Sequence, residues 1–194
     1  PLVRLAAVRL GWVARPVEDR WGRRVIARLG GVGMFAGFVA AVLAWVPLDG
    51  PVRGLLFATV LVFGLGLLDD IRRIPVPLKL VGQLLIGCVV VLGGLPIELA
   101  PWPWLSIPLS VLWFVLIMNA FNLLDNMDGL AAGVGAIAAA FCTFHALLAQ
   151  QWLVVSLSAV LAGVCVGFLL FNFPPAKIFM GDSGSHLLGL NLAA

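Results

Sequence analysis

The sequence predicts an all-α fold, a polytopic bundle of membrane-spanning helices, and three observations support this. Of its 194 residues, 62% are hydrophobic and only 11% are charged, whereas a soluble domain is about half apolar and about a quarter charged. The apolar residues form runs that approach the roughly 20 residues of a membrane-spanning helix and are too long for barrel strands. No linker, repeat or low-complexity tract interrupts them, so residues 1–194 are predicted to form one membrane domain.

Six apolar segments are predicted to be long enough, or nearly long enough, to cross the membrane, and a seventh begins near residue 186. The second of them, 52–68, is short for a crossing of about 20 residues, which suggests that it enters the interface early. Residues 1–13 are apolar but contain Arg4 and Arg9, so we expect an amphipathic or juxtamembrane segment there. The predicted spans are residues 30–48, 52–68, 78–95, 105–121, 130–149 and 152–171.

The basic residues predict the orientation of the bundle. When the spans are counted, Arg53 is the only one of the 12 Lys and Arg residues that falls on its side of the membrane. The positive-inside rule assigns the opposite, basic side to the cytoplasm, so we expect a multi-pass protein of the inner (plasma) membrane. The residues on that side are Arg4, Arg9, Arg15, Arg20, Arg23, Arg24, Arg28, Arg72, Arg73, Lys79 and Lys177.

Charge and cysteine content argue against two further kinds of function. The net charge of +3 does not indicate a nucleic-acid partner, because in a membrane protein the placement of basic residues matters more than their sum. Cys88, Cys142 and Cys165 lie inside apolar runs without the spacing of metal ligands. We therefore expect buried, reduced thiols.

The first polar cluster ends the second predicted span. Asp69 and Asp70 are adjacent, and Arg72, Arg73 and Lys79 follow them. Carboxylates can orient a metal ion or a nucleophile, and nearby cations can neutralise phosphate. Taken alone, the segment is equally consistent with an ordinary helix end that carries positive-inside residues.

The second polar cluster follows the fourth predicted span. Asn119, Asn122 and Asp125 recur every third residue and would share one face of a helix, and Asp128 follows three residues after Asp125. Amide and carboxylate oxygens suit hydrated Mg²⁺ and a polar ligand such as a nucleobase. So many Asn and Asp residues close together at a membrane boundary argue against a simple polar turn.

The third polar cluster surrounds Asp182. Pro174 and Pro175 end the sixth span, and the small residues at 181–185 allow a tight backbone at the start of a new helix. A helix N-terminus with exposed amides can bind phosphate. The string Gly-Asp-Ser-Gly also occurs in trypsin-like proteases, but this chain has no β-barrel pattern and no partners for a triad. His186 follows directly and could reach the same site.

Span parity places all three clusters on the predicted cytoplasmic side. Carboxylates at a membrane boundary are costly unless they face water, a metal or a substrate. We therefore predict one active site that handles a charged group held at the lipid surface.

Together the three clusters resemble the signatures of a known enzyme family. Asp69-Asp70 with the downstream Lys79, NAFNLLDNMDGLAAG and FNFPPAKIFMGDSGS match, in order and spacing, the polyprenyl-phosphate N-acetylhexosamine-1-phosphate transferases of glycosyltransferase family 4. The resemblance covers most of residues 15–194. The residues of these motifs resemble those of the WecA/TagO branch more closely than those of the MraY branch, which uses MurNAc-pentapeptide.

The resemblance implies a reaction. A UDP-amino-sugar would give its sugar-1-phosphate, GlcNAc-1-phosphate for this branch, to undecaprenyl or another polyprenyl phosphate, and UMP would leave. This would be the first membrane step of cell-wall or surface-polysaccharide synthesis. The implied cofactor is Mg²⁺, with Mn²⁺ as an alternative, and a homodimer is left open.

The resemblance also implies roles for individual residues. Asp182 and Asn122 would hold the metal, and Asp69 and Asp70 would orient or deprotonate the lipid phosphate, which makes Asp69, Asp70 and Asp182 the expected catalytic residues. The expected substrate-binding residues are Lys79, Asn119, Asn122, Asp125, Asp128, Gly129 and Lys177.

Phosphate chemistry bears on the two adjacent aspartates. A phosphate monoester has a second pKa of about 6, so a polyprenyl phosphate is largely dianionic at neutral pH. We therefore hypothesise that Asp69 and Asp70 act more by positioning and through the metal's charge than as an obligatory base. If Asp69→Asn sharply lowered the reaction rate and high pH fully restored it, this hypothesis would be contradicted.

Several features keep alternatives open. Relatives often carry a His where this chain has Gly22, and a His-rich loop beyond the equivalent of Ala194. Because the chain starts with Pro1 and stops inside an apolar run, we expect a fragment of a longer protein. Three alternative functions remain: a MurNAc-pentapeptide phosphotransferase, a transporter or flippase of lipid-linked or anionic solutes, and an inactive scaffold. Transporters, however, concentrate ionisable residues near the bilayer midplane.

Overall fold

A bundle of seven helices makes up most of the computed structural model, which describes residues 13–14, 26–27, 29–97 and 102–194. Two short strands, β1 (Val13–Ala14) and β2 (Ile26–Ala27), pair antiparallel before the bundle. The all-α architecture predicted from sequence is confirmed. The helices are α1 (Gly30–Trp45), α2 (Gly50–Arg72), α3 (Val76–Leu92), α4 (Pro103–Leu124), α5 (Leu130–Leu148), α6 (Trp152–Asn172) and α7 (Gly181–Ala193).

Four of these helices, α2, α4, α5 and α6, are long and apolar enough to cross a membrane. No more than 33% of the apolar window of any of them is buried inside the protein, so most of the apolar side chains face outward. Such surfaces are stable against lipid, where each helix satisfies its own backbone hydrogen bonds. The described bundle is therefore that of a polytopic membrane protein. α1 and α3 are also apolar but have only 16 and 17 residues.

Helix ends differ from the predicted spans where charged residues begin. α2 is not short but has 23 residues, because the Asp49 carboxylate caps its start by accepting from the Val52 amide at 3.1 Å and because it continues through Asp69 and Asp70. Hydropathy marks where an apolar run stops, whereas backbone hydrogen bonding marks where a helix stops. α7 likewise begins at Gly181, before the predicted position 186.

Burial of the cysteines corrects one expectation. Cys165 is buried as predicted, but Cys88 and Cys142 are exposed. They lie on α3 and α5, which turn apolar faces outward, and an apolar run in the sequence does not distinguish a lipid-facing position from the protein core. Two other sequence-based expectations, on the seven arginines at 4–28 and on Gly22, concern residues outside those that the structure describes.

α7 occupies the centre of the bundle. Every residue from Ser183 to Leu190 is buried, and the helix packs against α1, α2 and α4. One apolar cluster, built mainly from α1, α5 and α6, lies on one side of it, and a second, from α2, α3 and α4, lies on the other. This placement puts Asp182, in the first turn of α7, in the middle of one end of the bundle.

Two glycines allow α7 to approach its neighbours this closely. A Cβ atom at Gly66 of α2 would lie 2.6 Å from backbone atoms of Asp182 and Ser183, and one at Gly31 of α1 would lie 2.4 Å from the Gly184 amide nitrogen. These neighbours are backbone atoms, which cannot rotate away as a flexible side chain can. Any side chain at position 66 must therefore displace the start of α7.

We expect Gly66→Ala to destabilise the protein. Overpacking of this kind costs about 1–3 kcal/mol, which corresponds to about 2–4 °C per kcal/mol in a chain of this size. The matched control is Gly64→Ala on the same helix, where a Cβ meets nothing within 4 Å and where alanine should improve helix propensity by up to about 1 kcal/mol. Thermal unfolding in detergent measures both, and equal Tm values for the two variants would contradict the close approach.

Candidate active site

The three polar clusters of the sequence meet in one cavity at one end of the bundle. The cavity has a volume of about 380 Å³ and lies between the C-terminal end of α2, the connection from α4 to α5, and the start of α7. Helices that alternate in direction bring these distant segments to the same end. The cavity is lined by Asp69, Asp70, Arg73, Asp125, Asn126, Asp128, Phe179, Gly181 and Asp182.

Carboxylates from elsewhere in the chain cap the N-terminus of α7. The Gly181 amide donates to Asp125 Oδ2 at 3.2 Å, and the Asp182 amide donates to Asp70 Oδ1 at 2.8 Å. The Ser183 amide and hydroxyl both donate to Asp70 Oδ2, at 3.0 and 2.7 Å. Three successive amides that have no partner within the helix are thereby satisfied, and the positive end of the helix dipole faces two anions.

This capping corrects the expectation of exposed amides that would bind phosphate at the start of α7. The amides of Gly181, Asp182 and Ser183 already donate to the protein's own carboxylates. A helix N-terminus attracts any anion, and the folded chain places Asp70 and Asp125 against it. A phosphate in this cavity needs other positive groups.

Asp182 is held between a cation and an amide. Lys79 Nζ lies 2.8 Å from Asp69 Oδ2 and also contacts Asp182 Oδ2, so it bridges the two carboxylates. On the other side, Asn122 Nδ2 donates to Asp182 Oδ1 at 2.9 Å. The second oxygen of Asp69 accepts from the Ile74 amide at 2.6 Å. The sequence-predicted residues Asp69, Lys79, Asn122 and Asp182 thus form one hydrogen-bonded group.

Asp125 directly follows α4, and its environment disfavours ionisation. Burial raises the pKa of the Asp125 carboxyl to about 7, although the hydrogen bond from the Gly181 amide opposes this, and the negative charges of Asp182, Asp70 and Asp128 raise it further. Its carboxyl group therefore changes charge near neutral pH, whereas an ordinary aspartate is ionised from about pH 4 upward.

We expect Asp125→Asn to stabilise the protein more as pH rises. A carboxyl whose pKa is raised by folding binds more protons in the folded than in the unfolded state, so its contribution to stability is lost between about pH 4 and pH 7. The Tm of the variant minus that of the parent should therefore increase from pH 5 to pH 8, in EDTA and without substrate. Gly64→Ala, which changes no titratable group, gives the baseline. A constant or decreasing difference would contradict the assignment.

Asn119 is directed away from the cavity. Its Nδ2 atom donates to Gln83 Oε1 on α3 at 2.8 Å, and Asn119 does not line the acidic cavity. Two side chains three residues apart on a helix point in directions that differ by about 60°. This difference is enough for Asn119 to meet α3 while Asn122 meets α7. A role for Asn119 in nucleotide binding stays a prediction.

Asp128 and Gly129 hold the connection between α6 and α7. The Asp128 carboxylate accepts from the Ala176 amide at 2.9 Å, and the Gly129 amide, at a positive φ of 75°, donates to Asn172 Oδ1 at 2.9 Å. Asn172 is buried and also donates to the Ile178 carbonyl at 2.9 Å. Asn172 belongs to the FNFPPAKIFMGDSGS motif of the sequence, although no role was predicted for it.

Two further residues identified from the sequence, Lys177 and His186, do not line the cavity. Lys177 borders a separate apolar groove of about 840 Å³ between α1 and α6, so its predicted contact with substrate stays untested. His186 is fully buried, and its Nδ1 atom lies 2.6 Å from the Asp182 carbonyl oxygen. It thus contacts the backbone of the site.

The donor set fits a hard cation. Among the described residues no three His, Cys, Asp or Glu side chains form a metal cluster. Mg²⁺ needs fewer protein ligands, since it prefers oxygen and keeps several waters. The side chains of Asp182 and Asn122 adjoin, and rotation of the Asn122 amide by 180° would present its oxygen to a shared ion. The chemistry of these side chains therefore suits Mg²⁺.

Comparison with known proteins agrees with this geometry. The profile described as "Glycosyl transferase family 4" matches residues 52–194. A probable undecaprenyl-phosphate N-acetylglucosaminyl 1-phosphate transferase of Bacillus subtilis is 36% identical over 100% of this chain and 57% of its own length. A decaprenyl-phosphate N-acetylglucosaminephosphotransferase of Mycobacterium tuberculosis is 38% identical over 99% of this chain and 54% of its own length.

The MurNAc branch is represented as well. A phospho-N-acetylmuramoyl-pentapeptide-transferase of Desulforudis audaxviator is 37% identical over 86% of this chain and 60% of its own length. The chain spans about half the length of the first two relatives. The profile match includes all three polar clusters and most of the helices. On this evidence the chain belongs to glycosyl transferase family 4.

Proposed function

We propose that the protein transfers GlcNAc-1-phosphate from UDP-GlcNAc to a polyprenyl phosphate and releases UMP. The observation that carries the proposal is the cavity in which Asp69, Asp70, Asp125 and Asp182 meet at one end of an apolar bundle. A lipid phosphate and a water-soluble nucleotide sugar can meet only at such a boundary. The names of the Bacillus and Mycobacterium relatives, both GlcNAc-1-phosphate transferases, support this choice of sugar.

Mg²⁺ is the cofactor that we propose, with Asp182 and Asn122 as its protein ligands. A nucleotide diphosphate would be repelled by a cavity lined with aspartates, and a divalent cation held by Asp182 and Asn122 would reverse the local charge and stabilise charge on the leaving phosphate. The carboxylate-rich lining of the cavity supports this proposal, as does the adjacency of the Asn122 and Asp182 side chains, which a hydrogen bond of 2.9 Å from Asn122 Nδ2 joins.

The chain's own residues would divide the remaining work. Asp70 and Asp125 fix the first turn of α7 through its amides and thereby fix Asp182. Lys79 offsets the charges of Asp69 and Asp182 and can turn toward a phosphate that enters. Asp69, held by the Ile74 amide, would orient the attacking lipid phosphate, which needs little help from a base because it is largely dianionic.

We place the reaction at the cytoplasmic face of the plasma membrane, as the arginine distribution indicates. The MurNAc-pentapeptide donor is the second candidate, which the Desulforudis relative favours. A transporter is less well supported, since Asp70 and Asp182 lie at helix ends and their hydrogen bonds fix the helices against each other.

UMP release tests the proposal directly. The full-length protein in detergent receives undecaprenyl phosphate, with UDP-GlcNAc, other UDP-N-acetylhexosamines or UDP-MurNAc-pentapeptide as donor, in Mg²⁺ or in EDTA. We expect UMP from UDP-GlcNAc only when both lipid and Mg²⁺ are present. If UMP were released only from UDP-MurNAc-pentapeptide, the donor would be MurNAc-pentapeptide and not GlcNAc. If no donor released UMP, a transporter or a scaffold would be supported.

A further inference from the structure

Arg73 is a cationic side chain in the lining of an acidic cavity. Among the described residues it is the only cationic side chain that lines the cavity, beside five aspartates. Both ion pairs found in the described residues belong to Lys79, so Arg73 has no carboxylate partner there. Arg73 is exposed to solvent, so its guanidinium can reach an anion that enters the cavity.

Most of the carboxylate oxygens that line the cavity already accept from donors other than Arg73. Asp70 uses both oxygens on the start of α7, and Asp69 uses its oxygens on Ile74 and Lys79. Asp125 and Asp128 each accept from a backbone amide. The guanidinium of Arg73, with five donors in a planar fork, is therefore free for an anion that enters the cavity.

The backbone at Arg73 also favours a functional explanation. Arg73 caps the C-terminus of α2 in the left-handed conformation, with φ 51° and ψ 84°. Glycine or asparagine is the usual residue at such a helix end, because a Cβ atom is strained there. A long charged residue in this conformation is the kind of local strain that concentrates at ligand sites.

We propose that Arg73 binds a phosphate oxyanion at the mouth of the cavity. Two substrates could supply this group, the diphosphate of the nucleotide sugar and the phosphate of the lipid carrier. A fork of N–H donors suits either one, since it can bind two oxygens of one phosphate. The proposal rests on the function proposed above and adds a substrate-binding residue to it.

Arg73→Gly tests this proposal because it removes the cation and relieves the strained backbone together. We expect the KM of one substrate to rise about 10- to 100-fold, the scale of a lost charge-assisted hydrogen bond, while kcat changes less and Tm stays equal or rises. The KM of UDP-GlcNAc at saturating lipid and the KM of undecaprenyl phosphate at saturating nucleotide identify which phosphate Arg73 holds. Arg73→Lys should recover part of the loss.

Arg72→Gln is the matched control, since it removes the neighbouring charge from a residue that does not line the cavity. We expect both KM values of this variant to stay near those of the parent. Unchanged KM values in Arg73→Gly, or an equal rise in Arg72→Gln, would overturn the proposal. Calorimetry with the parent protein, using UDP with Mg²⁺ and a short-chain prenyl phosphate as probes, distinguishes failure of the Arg73 proposal from failure of the proposed function. A parent protein that binds neither probe and releases no UMP would refute the function itself.

Discussion

Asp182→Asn is expected to abolish turnover while leaving the fold intact. The substitution keeps the shape of the side chain and the backbone amide that donates to Asp70, so the start of α7 stays in place. It removes the negative charge that Lys79 contacts and, in the proposed mechanism, a charged ligand of Mg²⁺. Loss of one preorganised electrostatic group at a reacting centre typically costs about 10²–10³-fold in rate, and loss of a metal ligand should cost at least that.

The measurement is UMP release by the full-length protein under single-turnover conditions, together with its Tm in detergent. Asp49→Asn is the matched control, because Asp49 caps α2 at the far end of that helix from the cavity and asparagine caps a helix about as well. We expect the control to keep the activity of the parent. Near-normal turnover in Asp182→Asn would refute the assignment of Asp182.

Asp70→Asn is expected to lower both stability and activity. The Asp70 carboxylate accepts three hydrogen bonds from the first turn of α7, divided between its two oxygens. Asparagine keeps one accepting oxygen, but its NH₂ group cannot accept the hydrogen bonds made to the other. A buried donor left without a partner costs about 1–3 kcal/mol, and each kcal/mol lowers Tm by about 2–4 °C for a chain of this size. Turnover should fall as well, because Asp182 follows the displaced end of α7.

Ser183→Ala is the matched comparison for Asp70, since it removes only the hydroxyl that donates to Asp70 Oδ2 at 2.7 Å. Its Tm should fall less, and the double variant should lose less than the sum of the two single losses, because the two residues share one network. An obligatory base would behave differently. A variant Asp70→Asn with the Tm of the parent, and with turnover that high pH restores, would show that Asp70 acts on the lipid phosphate and not on α7.

Two features of the site were readable from local sequence. Asp69-Asp70 and Asp182 were identified because carboxylates next to long apolar runs are rare and costly, and their common side of the membrane followed from counting spans. The structure brings both clusters to one cavity. The ends of α2 and α7 were less accurate, since hydropathy falls at the first charged residue while the helical hydrogen bonds continue through it.

Other features depended on contacts that no local pattern encodes. Asn119 and Asn122 have the same residue type and nearly the same helix face, yet one meets Gln83 and the other meets Asp182. Asn172 lies within the FNFPPAKIFMGDSGS motif, but only the folded structure shows that it joins Gly129 to Ile178. Exposure of Cys88 and Cys142 was likewise hidden, because a bilayer makes apolar residues suitable on both the inside and the outside of the bundle.

The sequence by itself determined the all-α membrane architecture, the single polar end and the family, because apolar run length, charge placement and short motifs are local properties of the chain. The tertiary structure alone decided which hydrogen-bond and ion-pair partners each aspartate has. It shows Asp70 and Asp125 bound to the amides of α7 and Asp182 held by Lys79 and Asn122, while Arg73 forms no ion pair with any residue that the structure describes. Hydrogen-bond donors are few in this cavity, and only the packing of α2, α4 and α7 determines which carboxylate each donor reaches.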